Sequence, residues 1–161
     1  SKVPGTDAAK TAEPDEDYLV PFGKARVVLE ASKGAIDRGE TVGVVTYGMG
    51  VYWAMNAAKN LPGRVEVLDL RTLAPYDEEA IVSLTKKHGK VLVLTEETLR
   101  NSFAEALAGR ISQQCFQFLD APIRTMGSLD VPAVPLNASM EAVMLPNADK
   151  VEVVLREMLA D

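Results

Sequence analysis

Three short, almost continuously apolar runs, each followed by a segment with helical periodicity, most strongly constrain the fold of this chain. The runs are TVGVVTY (41–47), RVEVLDL (64–70) and KVLVLTEE (90–97). Runs of this kind are typical of strands that are buried on both faces of a parallel sheet. Because helical patterns separate the runs, the sequence predicts an α/β sandwich with a mostly parallel sheet and helices on both faces.

Capping residues mark the ends of two of these helices. Asp77 is predicted to cap a helix that ends at Gly89, since Asp favours the N-cap and Gly the position just past the last turn. The next helix is predicted over residues 101–115, with Asn101 or Ser102 as its cap. Cys115, at the end of that helix, is expected to pack in the core as a small apolar side chain.

The remaining segments carry weaker patterns. ARVVLE (25–30) and APIRTMG (121–127) are predicted as two further short strands. ASKGAIDRGE (31–40) is polar and is predicted as a loop, and the proline-containing segment 131–147 as a long surface excursion. The chain closes with an amphipathic helix over residues 148–161.

Domain organisation follows from a change in composition near residue 17. Residues 1–17 contain almost no large apolar side chains and are predicted to form a poorly ordered linker or arm. Residues 18–161 are predicted to form a single domain, which suits their length. Because the chain opens with SKVPG rather than Met, we expect it to be an excised part of a longer protein.

Charge and residue usage argue against several classes of function. The formal net charge of −6 argues against a nucleic-acid partner, and no apolar run is long enough for a membrane span. The single cysteine excludes an internal disulfide and fits a reducing compartment. Because His88 is the only histidine, we expect no self-contained catalytic site, and we interpret His88 as a solvated cation at a helix end.

The Gly48-x-Gly50 turn after the first long strand resembles part of a dinucleotide-binding fingerprint, with Asp69 as the acidic residue at the next strand end. The position that normally holds a small residue is Trp53, whose indole would hold the following helix (predicted over 51–61) away from the sheet. The pattern therefore favours a tight strand-to-helix turn, with dinucleotide binding as the alternative.

Polar residues at the ends of the predicted strands are the candidate site residues. Ligands of open α/β sheets bind at the carboxyl ends of the strands. Tyr47, Asp69, Arg71, Glu96 and Glu97 are expected at this edge. The two adjacent glutamates are either acid–base carboxylates or the polar lining of a subunit contact, and the second interpretation is favoured.

An ordered set of motifs is similar to a known family. The set consists of DYLVPFGKARVV, VVTYGMGVYWAMNAA, VEVLDLRTLAPYDEEAI, GKVLVLTEE, CFQFLDAPIRTMGSLDVPAVP and LPNADKV. It resembles the C-terminal domain of the beta subunit of the thiamine-diphosphate-dependent 2-oxo acid dehydrogenases. The likeness covers about residues 17 to 160, and the Asp-Leu-Arg-Thr-Leu run is its most distinctive part.

The resemblance implies a fold of the transketolase C-terminal type. This is a three-layer α/β/α sandwich with about five strands, one of them antiparallel. It also implies that thiamine diphosphate and magnesium belong to the full enzyme and are bound by the alpha subunit and the beta subunit's N-terminal domain. We therefore expect no catalytic, cofactor-binding or metal-binding residue in this chain, and no decarboxylase activity from the chain alone.

The resemblance further implies roles in subunit association and in docking of the dihydrolipoyl acyltransferase core. Asp130, Glu157 and Asp161 are the candidates for charge-steered docking to a basic binding module. CFQFLDAPI favours the branched-chain, 2-oxoisovalerate type over the pyruvate type. Transketolase and deoxyxylulose-phosphate synthase share the fold and remain alternatives. The expected location is the bacterial cytoplasm, or the mitochondrial matrix for a eukaryotic protein.

Overall fold

Five β-strands and six α-helices occur in the part of the chain that the computed structural model describes, residues 12–133 and 135–160. The strands are β1 (Arg26–Leu29), β2 (Val42–Thr46), β3 (Val65–Asp69), β4 (Val91–Thr98) and β5 (Arg124–Ser128). The helices are α1 (Lys33–Asp37), α2 (Met49–Ala58), α3 (Glu78–His88), α4 (Phe103–Cys115), α5 (Ala138–Met144) and α6 (Ala148–Ala160), and a 3₁₀ turn, Phe116–Phe118, follows α4.

The strands form one sheet in the order β1-β3-β2-β4-β5. β3, β2, β4 and β5 are parallel to one another, and β1 pairs with β3 in the antiparallel sense. The β1–β3 pairing has an irregular register between Val27 and Leu29. The predicted five-stranded, mostly parallel sheet with one antiparallel strand is confirmed.

Alternate side chains of the central strands supply two separate cores, one on each face of the sheet. Val44, Val67 and Leu94 pack in the same buried cluster as residues of α2 and α6. Val45 and Val93, on the other face, pack in a cluster with residues of α3 and α4. The result is the predicted three-layer arrangement, and the period of two along each strand explains it.

Capping residues fix both ends of α3 and the start of α4. The Asp77 carboxylate accepts the N–H of Ala80 at 3.1 Å, and Gly89 follows α3 with φ +64°. The Ser102 hydroxyl accepts the N–H of Glu105 at 3.0 Å. These caps were predicted from the sequence, and the structure selects Ser102 over Asn101 for α4.

Three predictions on regular structure were wrong. Helix α1 lies in segment 31–40, predicted as a loop, and α5 lies in the predicted excursion 131–147. Both helices are too short to show periodicity, and each depends on its N-cap, Ser32 for α1 and Asn137 for α5. Helix α2 begins at Met49, two residues before the predicted start.

The predicted arm, residues 1–17, is described only in part. Residues 1–11 lie outside the described residues, and the prediction of poor order there stays a prediction. Residues 12–17 are exposed and form neither helix nor strand.

Candidate functional site

The carboxyl edge of the sheet has the topology of a ligand-binding edge. The chain passes from β2 to β3 on one side and then returns to β4 on the other side of β2. The carboxyl ends of β2 and β4 therefore form a topological switch point, where open α/β sheets bind ligands. Tyr47 follows β2, and Glu96 and Glu97 lie near the end of β4.

Tyr47 occupies this edge through a hydrogen-bonded network within the chain. Its hydroxyl lies 2.7 Å from Thr95 Oγ1 and 3.0 Å from Glu97 Oε1. Because a carboxylate only accepts, Tyr47 donates to Glu97 and the Thr95 hydroxyl donates to Tyr47. Burial raises the pKa of Tyr47 above its usual value, which keeps the phenol protonated as this donor. The ring packs edge-on against Phe103, with 5.8 Å between centroids.

Glu97 also serves the start of α4. Its Oε1 accepts the backbone N–H of Phe103 at 3.0 Å, so the carboxylate lies at the positive end of the helix dipole. Glu96 is exposed, and neighbouring side chains of a strand point to opposite faces. The structure brings Glu97, not Glu96, to Tyr47.

Asp69 and Arg71 lie at the end of the neighbouring strand and bind each other. The Asp69 carboxylate accepts the backbone N–H of Arg71 at 3.0 Å, and burial raises the pKa of Asp69. Arg71 has φ +60°, and its guanidinium donates to the Tyr18 hydroxyl and lies 5.8 Å from the centre of that ring. Asp69 therefore stabilises a local turn through one of its carboxylate oxygens.

The two glycines of the turn after β2 are explained by backbone geometry. Gly48 has φ +57°, a conformation that L side chains disfavour. A Cβ at Gly50 would lie 2.0 Å from Thr46 Oγ1, which itself donates to the carbonyl of Leu94. Trp53 is buried in the core cluster under α2, so the expectation that its indole holds the helix away from the sheet was wrong. The turn brings the helix against the sheet.

The charged docking candidates form ion pairs within the chain. Asp130 Oδ2 lies 2.7 Å from Arg100 Nε, beyond the carboxyl ends of β4 and β5. Glu157 Oε2, on α6, lies 3.0 Å from the guanidinium of Arg124, the first residue of β5. The two carboxylates therefore lie at opposite ends of β5. Asp161 lies outside the described residues.

An apolar groove of about 540 Å³ lies next to Asp130. It is lined by residues of the loop after β5 and of α5, among them Leu129, Val131, Pro132, Met140 and Val143. Met140 is 60% exposed and Val143 is 66% exposed. The groove thus lies largely within segment 131–147, which the sequence predicts as a surface excursion.

A polar cluster that is buried except for Lys87 lies at the amino ends of the strands and consists of Thr41, Glu66, Lys87 and His88. His88 Nδ1 is 2.7 Å from Thr41 Oγ1, and His88 Nε2 is 3.5 Å from Glu66 Oε1. His88 is 2% exposed, so its interpretation as a solvated cation was wrong. Its position in the last turn of α3 faces β2 and β3 instead of water.

Glu66 is the residue that sequence reasoning missed. Burial alone would raise the pKa of Glu66, but hydrogen bonds and attraction from His88 and Lys87 outweigh burial and hold the pKa at about 2. Lys87 Nζ lies 2.6 Å from Glu66 Oε2. The sequence feature that could have identified Glu66 is its position as a carboxylate in the middle of the apolar run RVEVLDL. A carboxylate in a strand that is buried on both faces needs a cationic partner.

Neither a metal-binding group of side chains nor a membrane-spanning helix occurs in residues 12–133 and 135–160. In these ranges no three or more His, Cys, Asp or Glu side chains come together in a way that would hold a metal ion. No helix in the same ranges is long and apolar enough to cross a membrane.

The chain resembles known proteins over most of its length. It is 40% identical over 148 residues to the 2-oxoisovalerate dehydrogenase subunit beta of Bacillus subtilis (strain 168), covering 90% of this chain and 43% of that protein. It is 34% identical over 139 residues to the pyruvate dehydrogenase E1 component subunit beta of Rhizobium meliloti (strain 1021). This match covers 84% of this chain and 28% of that protein. The chain therefore spans less than half the length of these curated relatives.

The fold has a counterpart among solved structures. A split-gene transketolase, described as an inactive beta4 tetramer, superimposes with a TM-score of 0.72 at 21% identity, over 91% of this chain and 45% of that chain. The family model of the transketolase C-terminal domain matches residues 32–151. This match includes β2 to β5, α1 to α5 and the first four residues of α6. The chain belongs to the transketolase C-terminal domain family.

Proposed function

We propose that this chain is the C-terminal assembly domain in the beta subunit of a 2-oxo acid dehydrogenase, in the component that decarboxylates the 2-oxo acid. The observation that carries the proposal is the 40% identity to a 2-oxoisovalerate dehydrogenase beta subunit over 90% of this chain. The pyruvate dehydrogenase beta subunit, at 34% identity, supports the same class of enzyme. The partners proposed are the rest of the beta chain, the alpha subunit and the dihydrolipoyl acyltransferase core.

The proposed substrate type is 2-oxoisovalerate. Identity to that beta subunit exceeds identity to the pyruvate type, 40% against 34%. The test is kcat/KM of the assembled enzyme for 2-oxoisovalerate and for pyruvate, and a preference for pyruvate would contradict this assignment. The two beta-subunit relatives are bacterial, which favours the bacterial cytoplasm over the mitochondrial matrix.

Thiamine diphosphate and Mg²⁺ serve this class of enzyme, and the described residues do not fit them. The glycines of the turn at Gly48 and Gly50 are explained by the backbone conformation and by the packing of α2 against β2. Tyr47 and Glu97 at the switch point already bind each other and the start of α4. We therefore assign cofactor binding to other parts of the enzyme and give this domain no catalytic, cofactor-binding or metal-binding residue.

The apolar groove beside α5 is the proposed assembly surface. Its lining side chains are exposed and uncharged, which is the composition of the centre of a protein interface. The Arg100–Asp130 pair lies beside the groove and supplies the polar rim. Other exposed apolar side chains lie elsewhere on the domain, and Val153 on α6, 58% exposed, is one of them.

Val143→Asp and Val153→Asp form a matched pair that tests this surface. Both positions hold an exposed valine on a helix, but only Val143 lines the groove. In the full beta subunit, Val143→Asp is expected to weaken association with the alpha subunit or the acyltransferase by about tenfold or more. Val153→Asp should leave both affinities unchanged. Equal affinities for the two variants, measured by calorimetry, would rule out the groove as an assembly surface.

Asp130 is proposed to steer docking to a basic module of the acyltransferase. Its ion pair with Arg100 is exposed, and such a pair contributes at most about 1 kcal/mol, so a basic partner can displace Arg100. Asp130→Lys should slow association at low salt, and Arg100→Gln should accelerate it.

Glu157 and Asp161 are proposed to contribute a second charged contact, since Glu157 lies at the other end of β5. Glu157→Lys and a truncation before Glu157 are measured beside the Asp130 variant. If Asp130→Lys is the only variant with a slower association rate, docking is assigned to the end of β5 that lies next to the groove. Unchanged association rates for every variant would exclude a docking role for these carboxylates.

A further inference from the structure

The segment that leads into β1, residues 18–25, is held in place although its side chains are exposed. Leu19 is 83% exposed and Phe22 is 82% exposed, so burial of these side chains does not fix the course of the backbone. Two backbone amides of the segment instead donate hydrogen bonds to side chains about fifty residues further along the chain. These are Gly23 N–H to Thr72 Oγ1, at 2.9 Å, and Ala25 N–H to Asp77 Oδ2, at 3.0 Å.

Each of the two acceptors is itself fixed by a contact within its own turn. The Thr72 hydroxyl donates to the carbonyl of Pro75 at 2.8 Å, so its lone pair is free for the Gly23 amide. Asp77 accepts the Ala80 amide with Oδ1 as the cap of α3, and its second oxygen accepts the Ala25 amide. Asp77 is 9% exposed, which limits competition by water for that second oxygen.

Two further contacts bring the segment close to the same turn. The Arg71 guanidinium donates to the Tyr18 hydroxyl and lies over that ring, 5.8 Å from its centre. Gly23 has φ +69°, and a Cβ there would lie 3.3 Å from Pro75 Cγ. The absence of a side chain at Gly23 thus allows the close approach at which its amide reaches Thr72.

We propose that Arg71, Thr72 and Asp77 form a backbone clasp that fixes the path of residues 18–25 and so sets the direction in which the chain approaches β1. The three residues belong to RTLAPYD, which is part of the most distinctive motif of the sequence. The motif therefore has a positioning role in addition to capping α3. This inference rests on the fold and its hydrogen bonds, and it holds whichever enzyme the domain serves.

The test compares Thr72→Val with Thr72→Ser in the 161-residue chain. Valine keeps the shape of threonine but cannot accept from Gly23, whereas serine keeps the acceptor. Amide hydrogen exchange of Gly23, measured by NMR, is expected to accelerate about threefold to tenfold in the valine variant and to stay near wild type in the serine variant. Exchange at Leu92, in the central strand, reports whether the core is intact.

Asp77→Asn supplies a second, independent measurement. An asparagine side chain has one carbonyl oxygen, so it accepts from Ala80 or from Ala25 but not from both. We expect faster exchange at one of these two amides with little change in the melting temperature, because Asn remains a good N-cap. Asp77→Ala should accelerate exchange at both amides.

Limited trypsin digestion gives a readout for the whole segment. Lys24 is exposed, and cleavage after it requires the segment to leave its bound path. Faster cleavage in Thr72→Val, with core exchange unchanged, is the expected result, and Asp77→Asn should be cleaved faster when Ala25 is the amide that loses its acceptor. Gly23 and Ala25 exchange rates that equal wild type in both variants would overturn the clasp.

Discussion

At the scale of single residues, the polar cluster around Glu66 shows how one carboxylate determines the environment of a helix end. Glu66 is 3% exposed and lies between Lys87 and His88, so its charge has partners on two sides. Removing either partner would leave a charge in a dry environment, which is far more costly than losing an exposed pair. His88 thus has a structural role beside a buried carboxylate, and the residue type alone did not predict this role.

The pKa of Glu66 predicts a specific dependence of stability on pH. Its value in the fold is about 2, against an ordinary value of 4.5. A lowered carboxylate pKa stabilises the fold above pH 4.5, and this contribution is lost as the pH falls towards 2. By linkage the shift corresponds to about 3 kcal/mol. Urea unfolding of wild type and Glu66→Gln between pH 2 and 7 measures the effect.

Glu66→Gln should flatten the decline of the free energy of unfolding below pH 4.5, since glutamine does not titrate. Glu141→Gln, at an exposed position on α5, is the control and should decline in parallel with wild type. Parallel curves for wild type and Glu66→Gln would show that the carboxylate is not held in its charged form.

At the scale of elements, the helices that sequence patterns predicted, α2, α3, α4 and α6, are those long enough to show a periodic face. Asp77 and Ser102 identified the starts of α3 and α4 correctly. Helices α1 and α5 were missed because five and seven residues cannot display a periodic face. The carbonyls at the end of helix α5 are instead satisfied by a residue of the next helix, since Lys150 Nζ donates to Ala142, Val143 and Leu145.

Asp77→Ala is expected to destabilise the domain more than Ser102→Ala. Each change removes an N-cap, at a cost of about 1 kcal/mol. Asp77 also accepts the amide of Ala25, which the alanine variant leaves without its acceptor. The melting temperatures of the two variants, measured side by side with wild type, test this order of stability. If Asp77→Ala melts at the wild-type temperature, its capping role is excluded.

Gly50→Ala tests the turn between β2 and α2, and Gly109→Ala in α4 is its control. Gly50→Ala places a methyl group 2.0 Å from Thr46 Oγ1 and forces that hydroxyl away from the Leu94 carbonyl, so a loss of about 2 kcal/mol is expected. Gly109→Ala, in the exposed interior of α4 with nothing within 4 Å, should instead stabilise by about 0.5–1 kcal/mol. Equal melting temperatures for both variants would contradict this explanation of Gly50.

At the scale of the whole molecule, sequence patterns predicted the sheet better than its polar contacts. Runs buried on both faces identified β2, β3 and β4, because uninterrupted apolar sequence has few other structural solutions. Which side chains meet at the carboxyl edge depends on strand order, which periodicity does not encode. Tyr47 and Glu97 therefore pair across 50 residues, whereas Glu96, adjacent in sequence, takes no part in that pair.

The isolated chain is expected to be inactive as a decarboxylase. Supplied with thiamine diphosphate, Mg²⁺ and a 2-oxo acid, it should release no carbon dioxide above background, since the residues at its switch point bind one another. The assembled enzyme containing the same domain is the positive control. Measurable turnover by the 161-residue chain would show that the assignment of chemistry to other domains is wrong.

The irregular pairing of β1 with β3 has a consequence for self-association. β1 is a four-residue strand at the margin of the sheet, and its register shifts between Val27 and Leu29. Short, irregular strands are poor templates for a further strand, and a charged side chain such as Arg26 adds to this effect. The sheet is thus protected on this side against edge-to-edge growth into aggregates, and a partner that approaches from this side must use loops and helices.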